Sequence, residues 1–189
     1  MNIYLIGMRA VGKSSVGRLL AASMRLPFID LDQELTSAFD QSIADFVRSN
    51  GWEQFRRREE DLVARVAELT QHVVATGGGV VGRRTNVSRM RASGWVVWLQ
   101  ASADALKQRM QADSRSSGSR PAIGTLGDPA AELDSLLQSR TGRYQEAMHM
   151  AVDTENRSIE AICRHIMAAC PGKQAPPDRL ERLRNRHGR

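Results

Sequence analysis

Gly7-Met8-Arg9-Ala10-Val11-Gly12-Lys13-Ser14 satisfies the spacing G-x-x-x-x-G-K-[ST], and its flanks decide what that spacing means. Asn2 to Ile6, just ahead of it, is an apolar run that reads as a buried strand. Behind it, Val16, Leu19, Leu20 and Ala22 to Met24 recur at helical spacing. A strand that turns through glycines into a helix aims bare backbone amides and the positive end of the helix dipole at one point. That point suits a phosphate. Lys13 reaches the β- and γ-phosphates, and the Ser14 hydroxyl can ligate Mg²⁺. Gly7, Ala10, Val11, Gly12, Lys13, Ser14 and Ser15 are therefore expected to cradle a nucleoside triphosphate.

The rest of the chain alternates strands and helices. Phe28 to Asp32, Val73 to Thr76, Trp95 to Leu99 and Ala151 to Thr154 read as strands, the first of these ending in the carboxylates Asp30 and Asp32. Helical spacing covers Thr36 to about Asn50, Trp52 to Leu69, Val87 to Ser93, Ala103 to Ala112, Ala130 to Met148 and Ser158 to Ala169, with Gly51 stopping the first of these. This alternation predicts an α/β fold, a parallel sheet with helices on both faces. At 189 residues and 41% hydrophobic, the chain suits one domain over residues 1–170. Residues 113–129 are polar and rich in Ser and Gly, a candidate mobile lid. Residues 171–189 read as a disordered tail.

Several classes are excluded or disfavoured. No stretch approaches the length of an apolar membrane span, and the N-terminus reads as a strand of the fold and not as a signal peptide. Cys163 and Cys170 are too few for a disulfide scaffold or a zinc site, and they read as small buried hydrophobes of a reduced, cytoplasmic protein. The net charge of +6 hints at nucleic acid, but residues 171–189 alone carry +4. No nucleic acid is expected for the domain, nor a membrane, and a monomer is expected. No Asn-Lys-x-Asp run is present to read guanine, and the chain is short for a motor. A kinase for a small metabolite or a nucleotide remains.

Acceptor-side candidates follow. Asp30 and Asp32 stand two apart at a strand end and would share a face, one holding the hydrated Mg²⁺ and the other orienting and deprotonating a hydroxyl. The alternative is a helix N-cap followed by a turn residue. Arg56 and Glu59 are i,i+3 on one helix face, and the Arg56 fork suits a carboxylate. Thr76-Gly77-Gly78-Gly79 follows a buried strand and invites close approach of a ligand to the backbone. Arg120 lies in the lid stretch, where a cation can close over the transferring phosphoryl group. Arg140 and Arg157, taken singly, are indistinguishable from surface arginines.

In order and spacing these pieces resemble the shikimate kinase family. The resemblance runs over about residues 1–169. It rests on Gly7–Ser15, Phe28 to Asp32, Ser42-Ile43-Ala44-Asp45-Phe46, Gly51-Trp52-Glu53-Gln54-Phe55-Arg56, Glu59, Thr76 to Gly79, Arg120-Pro121, Arg140 with Tyr144, and Val152-Asp153-Thr154. It implies a nucleoside-monophosphate-kinase-like fold with a five-stranded parallel sheet and ATP-dependent, Mg²⁺-dependent phosphorylation of the shikimate 3-hydroxyl. By position, Asp32 would be the base. Arg56 and Arg140 would grip the shikimate carboxylate, and Gly78 would meet the ring hydroxyls through its backbone. Ser14, with Asp30 through water, would hold Mg²⁺; Arg120 would be the lid arginine, and Arg157 would lie against the adenine. Three local departures stand out: Ala122-Ile123-Gly124 after Arg120-Pro121, Thr141-Gly142-Arg143 before Tyr144, and Asp40-Gln41 where a glycine is usual. A gluconate-type kinase and a non-catalytic, shikimate-binding regulator are the rival readings.

Overall fold

A computed structural model describes residues 1–116 and 129–172, with side chains described for residues 1–112 and 133–172. Arg120, most of the expected lid and nearly all of the expected tail lie outside the described residues.

Five parallel strands form one sheet: β1 (Asn2–Ile6), β2 (Phe28–Asp30), β3 (Val73–Ala75), β4 (Gly94–Gln100) and β5 (Met150–Asp153), in the order β2-β3-β1-β4-β5. The registers are Ile3 opposite Val73 and Trp95, Phe28 opposite Val73, and Val97 opposite Met150. Among the described residues seven α-helices connect and cover the strands: α1 (Lys13–Met24), α2 (Leu31–Phe39), α3 (Ile43–Ala67), α4 (Arg84–Ser93), α5 (Ala103–Ser116), α6 (Pro129–Ala147) and α7 (Ile159–Ala169). The expected α/β architecture is thus present. β1 is buried at every position, as a central parallel strand covered on both faces must be. After β1 the chain moves to the β3 side of the sheet, and after β3 it crosses to β4 on the other side. The carboxyl end of β1 is therefore the topological switch point, the place where such sheets open a crevice.

Two boundaries differ from expectation, and both differences bear on the site. β2 ends at Asp30, and a helix begins at Leu31. The cause is Asp30 itself: its Oδ1 accepts the amides of Asp32 (3.1 Å) and Gln33 (3.4 Å), which caps α2. Asp30 and Asp32 therefore do not share a strand face. The helix expected over Thr36 to Asn50 is two helices. α2 stops where Asp40 takes a left-handed conformation (φ 53°), and α3 starts where Ser42 Oγ accepts the Asp45 amide at 3.1 Å. Asp40 fills a left-handed position of the kind that glycine favours. Gly51 (φ 81°, ψ 161°) then breaks α3 into two helical pieces, as its position in the sequence suggested.

The core lies between sheet and helices. Asn2, fully buried, donates to the Val66 and Leu69 carbonyls at the end of α3 and accepts from the His72 amide, anchoring that helix to the first strand. Trp98 of β4 stacks on Tyr144 of α6, with centroids 5.5 Å apart and planes at 20°. Cys163 and Cys170 are both buried, Cys163 with its thiol against the Val16 carbonyl.

Candidate active site

The loop between β1 and α1 is built for an anion. Gly7 (φ 142°) lies against the Leu99 carbonyl so closely that any side chain would collide with it. Ala10 is held left-handed at φ 62° and Gly12 at φ 98°. Gly12 precedes α1 and no side chain caps that helix, so its first-turn amides are left to a ligand. Val11 is buried beneath the loop and Ser15 is exposed in the first turn. Lys13 is 8% exposed, and its ammonium donates to the Gly7 (2.9 Å) and Met8 (2.8 Å) carbonyls. Burial lowers its pKa to about 8, against the opposing pull of Asp32 and Asp30.

Ser14 Oγ donates to Asp30 Oδ2 at 2.6 Å. One carboxylate thus caps α2 with one oxygen and meets the phosphate-loop hydroxyl with the other. A hydroxyl and a carboxylate oxygen side by side at the end of a phosphate loop form the oxygen donor set that Mg²⁺ takes. The residues present therefore fit the ion.

Asp32 reaches the same cleft from the first turn of α2. A methyl group placed on Gly77 would lie 2.9 Å from Asp32 Oδ1 and 2.9 Å from Glu59 Oε1, so the two carboxyls converge on the bare glycine backbone. Burial raises the Asp32 pKa, while Lys13 pulls it down. Glu59 is 1% exposed, and burial pushes its pKa up as well. Its Oε2 accepts from Arg56 Nη1 at 2.7 Å, and its Oε1 is buried without a hydrogen-bond partner. Arg56 also lies over the rings of Trp52 (5.2 Å) and Phe55 (5.1 Å), so its guanidinium is held from three sides. It passes so close to Gly79 that a side chain there would displace it. Opposite, Arg140 Nη1 donates to the Gly78 carbonyl at 3.2 Å. Gly78 backs onto the phosphate loop: a methyl on it would come 3.3 Å from the Arg9 amide nitrogen.

The carboxyl ends of β4 and β5 form a further cavity of about 290 Å³, lined by Ser102, Asp104, Ala105, Gln108, Arg109, Glu155 and Asn156. Arg109, absent from the sequence reading, donates to the Thr154 hydroxyl (3.0 Å) and carbonyl (2.9 Å). Its helical context gave no signal, because a basic residue on a charged amphipathic helix looks like any solvated one. Arg157 is exposed on the same turn, just past Asn156. The structure thus brings together Lys13, Ser14, Asp30, Asp32, Arg56, Gly78 and Arg140 at one sheet edge, and Arg157 stands at its far end.

A family model described as shikimate kinase matches residues 9–171. The shikimate kinase of Symbiobacterium thermophilum is 38% identical over 167 residues, which covers 88% of this chain and 94% of that one. The chain belongs to the shikimate kinase family. A second relative, the shikimate kinase of Trichormus variabilis, is 39% identical over 172 residues, 90% of this chain and 91% of its own. Among solved structures, the shikimate kinase of Acinetobacter baumannii in complex with shikimate superposes with a TM-score of 0.80 at 29% identity, covering 88% of this chain and 90% of that one. The shikimate kinase of Aquifex aeolicus gives a TM-score of 0.75 at 27% identity, covering 89% and 95%. A gluconokinase from Sinorhizobium meliloti, at 21% identity and a TM-score of 0.55, shares the fold alone.

Proposed function

We propose that this protein transfers the γ-phosphoryl group of ATP to the 3-hydroxyl of shikimate, giving shikimate 3-phosphate and ADP on the chorismate route to the aromatic amino acids. The observation that carries this reading is the gathering of Lys13, Asp32, Arg56 and Arg140 about one cleft in a chain of the shikimate kinase family. Shikimate has one carboxylate and three hydroxyls, and two guanidinium groups, a carboxylate and a bare glycine backbone complement that pattern.

The roles follow from position. The loop from Gly7 through Ala10, Val11 and Gly12 to Lys13, Ser14 and Ser15 wraps the triphosphate with its amides. Lys13 turns from the Gly7 and Met8 carbonyls to the β- and γ-phosphates. Ser14, with Asp30 through water, would hold Mg²⁺, which would supply neutralisation of phosphate charge there. Asp32 orients the acceptor hydroxyl and takes its proton as the phosphoryl group arrives. Arg56, steadied by Glu59 and Trp52, and Arg140 from the opposite wall grip the shikimate carboxylate, while Gly78 meets the substrate through its backbone. By the family resemblance, Arg120, which lies outside the described residues, would be the cation that meets the transferring group. The cavity at Arg109 would receive the adenine, and Arg157, the residue after Asn156 of its lining, would lie against it. The protein works as a cytoplasmic monomer, needing neither nucleic acid nor membrane. Among the described residues no helix is long and apolar enough to cross a membrane.

The test is an ADP-release assay with shikimate and with gluconate as acceptors, both with ATP and Mg²⁺. Turnover with shikimate and none with gluconate is the expected result. Nucleotide binding without turnover of shikimate sinks the reading in favour of a regulator.

A further inference from the structure

We infer that Tyr144 is a positioning residue for the acceptor site: its phenol holds the Gly78 carbonyl so that Arg140 is released to the substrate's carboxylate. The inference rests on the proposed role of Arg140. Its physical basis is a carbonyl with two donors. Gly78 O accepts from Tyr144 Oη at 2.5 Å and from Arg140 Nη1 at 3.2 Å. Both donors sit on α6, four residues apart, so they face the glycine loop together.

The two donors differ in freedom. Tyr144 has no exposed surface, and its ring is stacked on Trp98, so core packing sets the position of its hydroxyl. Arg140 is half-buried at the end of a long flexible side chain. Burial raises the phenol's pKa to about 12, so it keeps its proton and remains a donor at any working pH. The Met8 sulfur lies 3.5 Å from the same phenol oxygen, which places the hydroxyl where the phosphate loop and the glycine loop meet.

Gly78 is half-buried, and its carbonyl loses free energy if its last protein donor leaves. With Tyr144 in place, Arg140 leaves Gly78 and the carbonyl stays satisfied. With a phenylalanine there, Arg140 becomes the remaining donor to Gly78 and substrate must compete for it. The fixed carbonyl also fixes its peptide plane, and with it the direction of the Gly79 amide.

Steady-state kinetics of Tyr144→Phe test this, since the substitution keeps the stacked ring. The expected result is a KM for shikimate raised about tenfold, with KM for ATP within about twofold and kcat within about threefold. In an Arg140→Ala background the same substitution should leave KM for shikimate within about twofold. If Tyr144→Phe raises that KM equally in both backgrounds, or in neither, the inference is overturned. If Arg140→Ala alone leaves KM for shikimate unchanged, the carboxylate role of Arg140 is what fails, and the inference falls with it. Should the phenylalanine variant not fold, 3-fluorotyrosine can replace both tyrosines of the chain, Tyr4 and Tyr144. Saturating shikimate should then move the Tyr144 fluorine resonance in the otherwise unaltered protein and not in Arg140→Ala. An unmoved resonance in the former, or equal movement in both, overturns the inference.

Discussion

Asp32 and Lys13 show how burial sets chemistry at single residues. Burial raises the Asp32 pKa above its ordinary 3.8, so the proton-accepting form is lost at a higher pH than an exposed aspartate would require. The acid limb of kcat/KM for shikimate should therefore lie above the usual carboxylate range. Asp32→Asn should lower kcat by about 10³-fold with ATP binding unchanged in calorimetry; an unaltered kcat would refute the base role. Lys13 illustrates the opposite burden. Its folded pKa of about 8 lies below the unfolded 10.5, so the unfolded chain holds this proton more tightly. The buried ammonium destabilises the ligand-free fold fully below about pH 8, and the cost fades as pH rises from 8 towards 10.5. Each pKa unit corresponds to about 1.4 kcal/mol. Part of this is offset by the two carbonyl contacts, which a methionine cannot replace. Lys13→Met should still raise the unfolding free energy of the ligand-free protein by about 1 kcal/mol in urea titration, while removing stabilisation by ATP. A less stable variant would show that the carbonyl contacts outweigh desolvation. Lys13 and Ser14 were legible in the sequence because a local loop sets their roles. Arg109 was not, because its meaning comes from Thr154, forty-five residues away.

The helix ends account for both the successes and the errors of the sequence reading at the level of elements. Ser158 caps α7 through the Ala161 amide at 3.2 Å, and Gly51 interrupts α3; both signals are local, and both were legible. The strand reading was carried past Asp30 because Ile29-Asp30-Leu31-Asp32 alternates like a strand, whereas the N-cap alternative is the one the structure adopts at Asp30. The side-chain oxygen of Asp30, bonding to amides two and three residues on, overrides that alternation. The error left the function intact, because the first turn of α2 carries Asp32 to the same cleft. The end of α1 offers a test of backbone cost. Arg25 is left-handed (φ 56°), its amide bonds to the Ala22 carbonyl at 3.2 Å, and Leu26 reaches back to Ala21 at 2.9 Å. This double bond pattern is the one glycine completes without strain. Arg25→Gly should raise stability by about 1 kcal/mol, seen as a higher denaturation midpoint at unchanged slope. A fall in the midpoint would mean that the arginine side chain contributes more than its backbone costs.

Across the whole molecule, the two halves of the cleft should respond separately to ligand. A ligand at about 100 times its Kd stabilises the native state by about 2.7 kcal/mol, which for a chain of this size means a melting shift of about 5–10 °C. ATP with Mg²⁺ should lose its shift in Lys13→Met and keep it in Arg56→Ala, and shikimate should show the reverse. Loss of both shifts in either variant would mean one cooperative site and not two facing halves. The separation has a structural origin: the phosphate loop hangs from β1, while Arg56 and Arg140 arrive on α3 and α6 from opposite sides of the switch point. The sequence by itself determined the α/β alternation, the phosphate loop and its lysine, because strand pattern, glycine turn and helix periodicity are effects of near neighbours along the chain. Only the tertiary structure decided that Asp32, Glu59 and Gly77 converge and that Tyr144 and Arg140 share the Gly78 carbonyl. Those contacts join residues up to 66 positions apart, and such distances close only when the sheet order brings the strand ends to one edge.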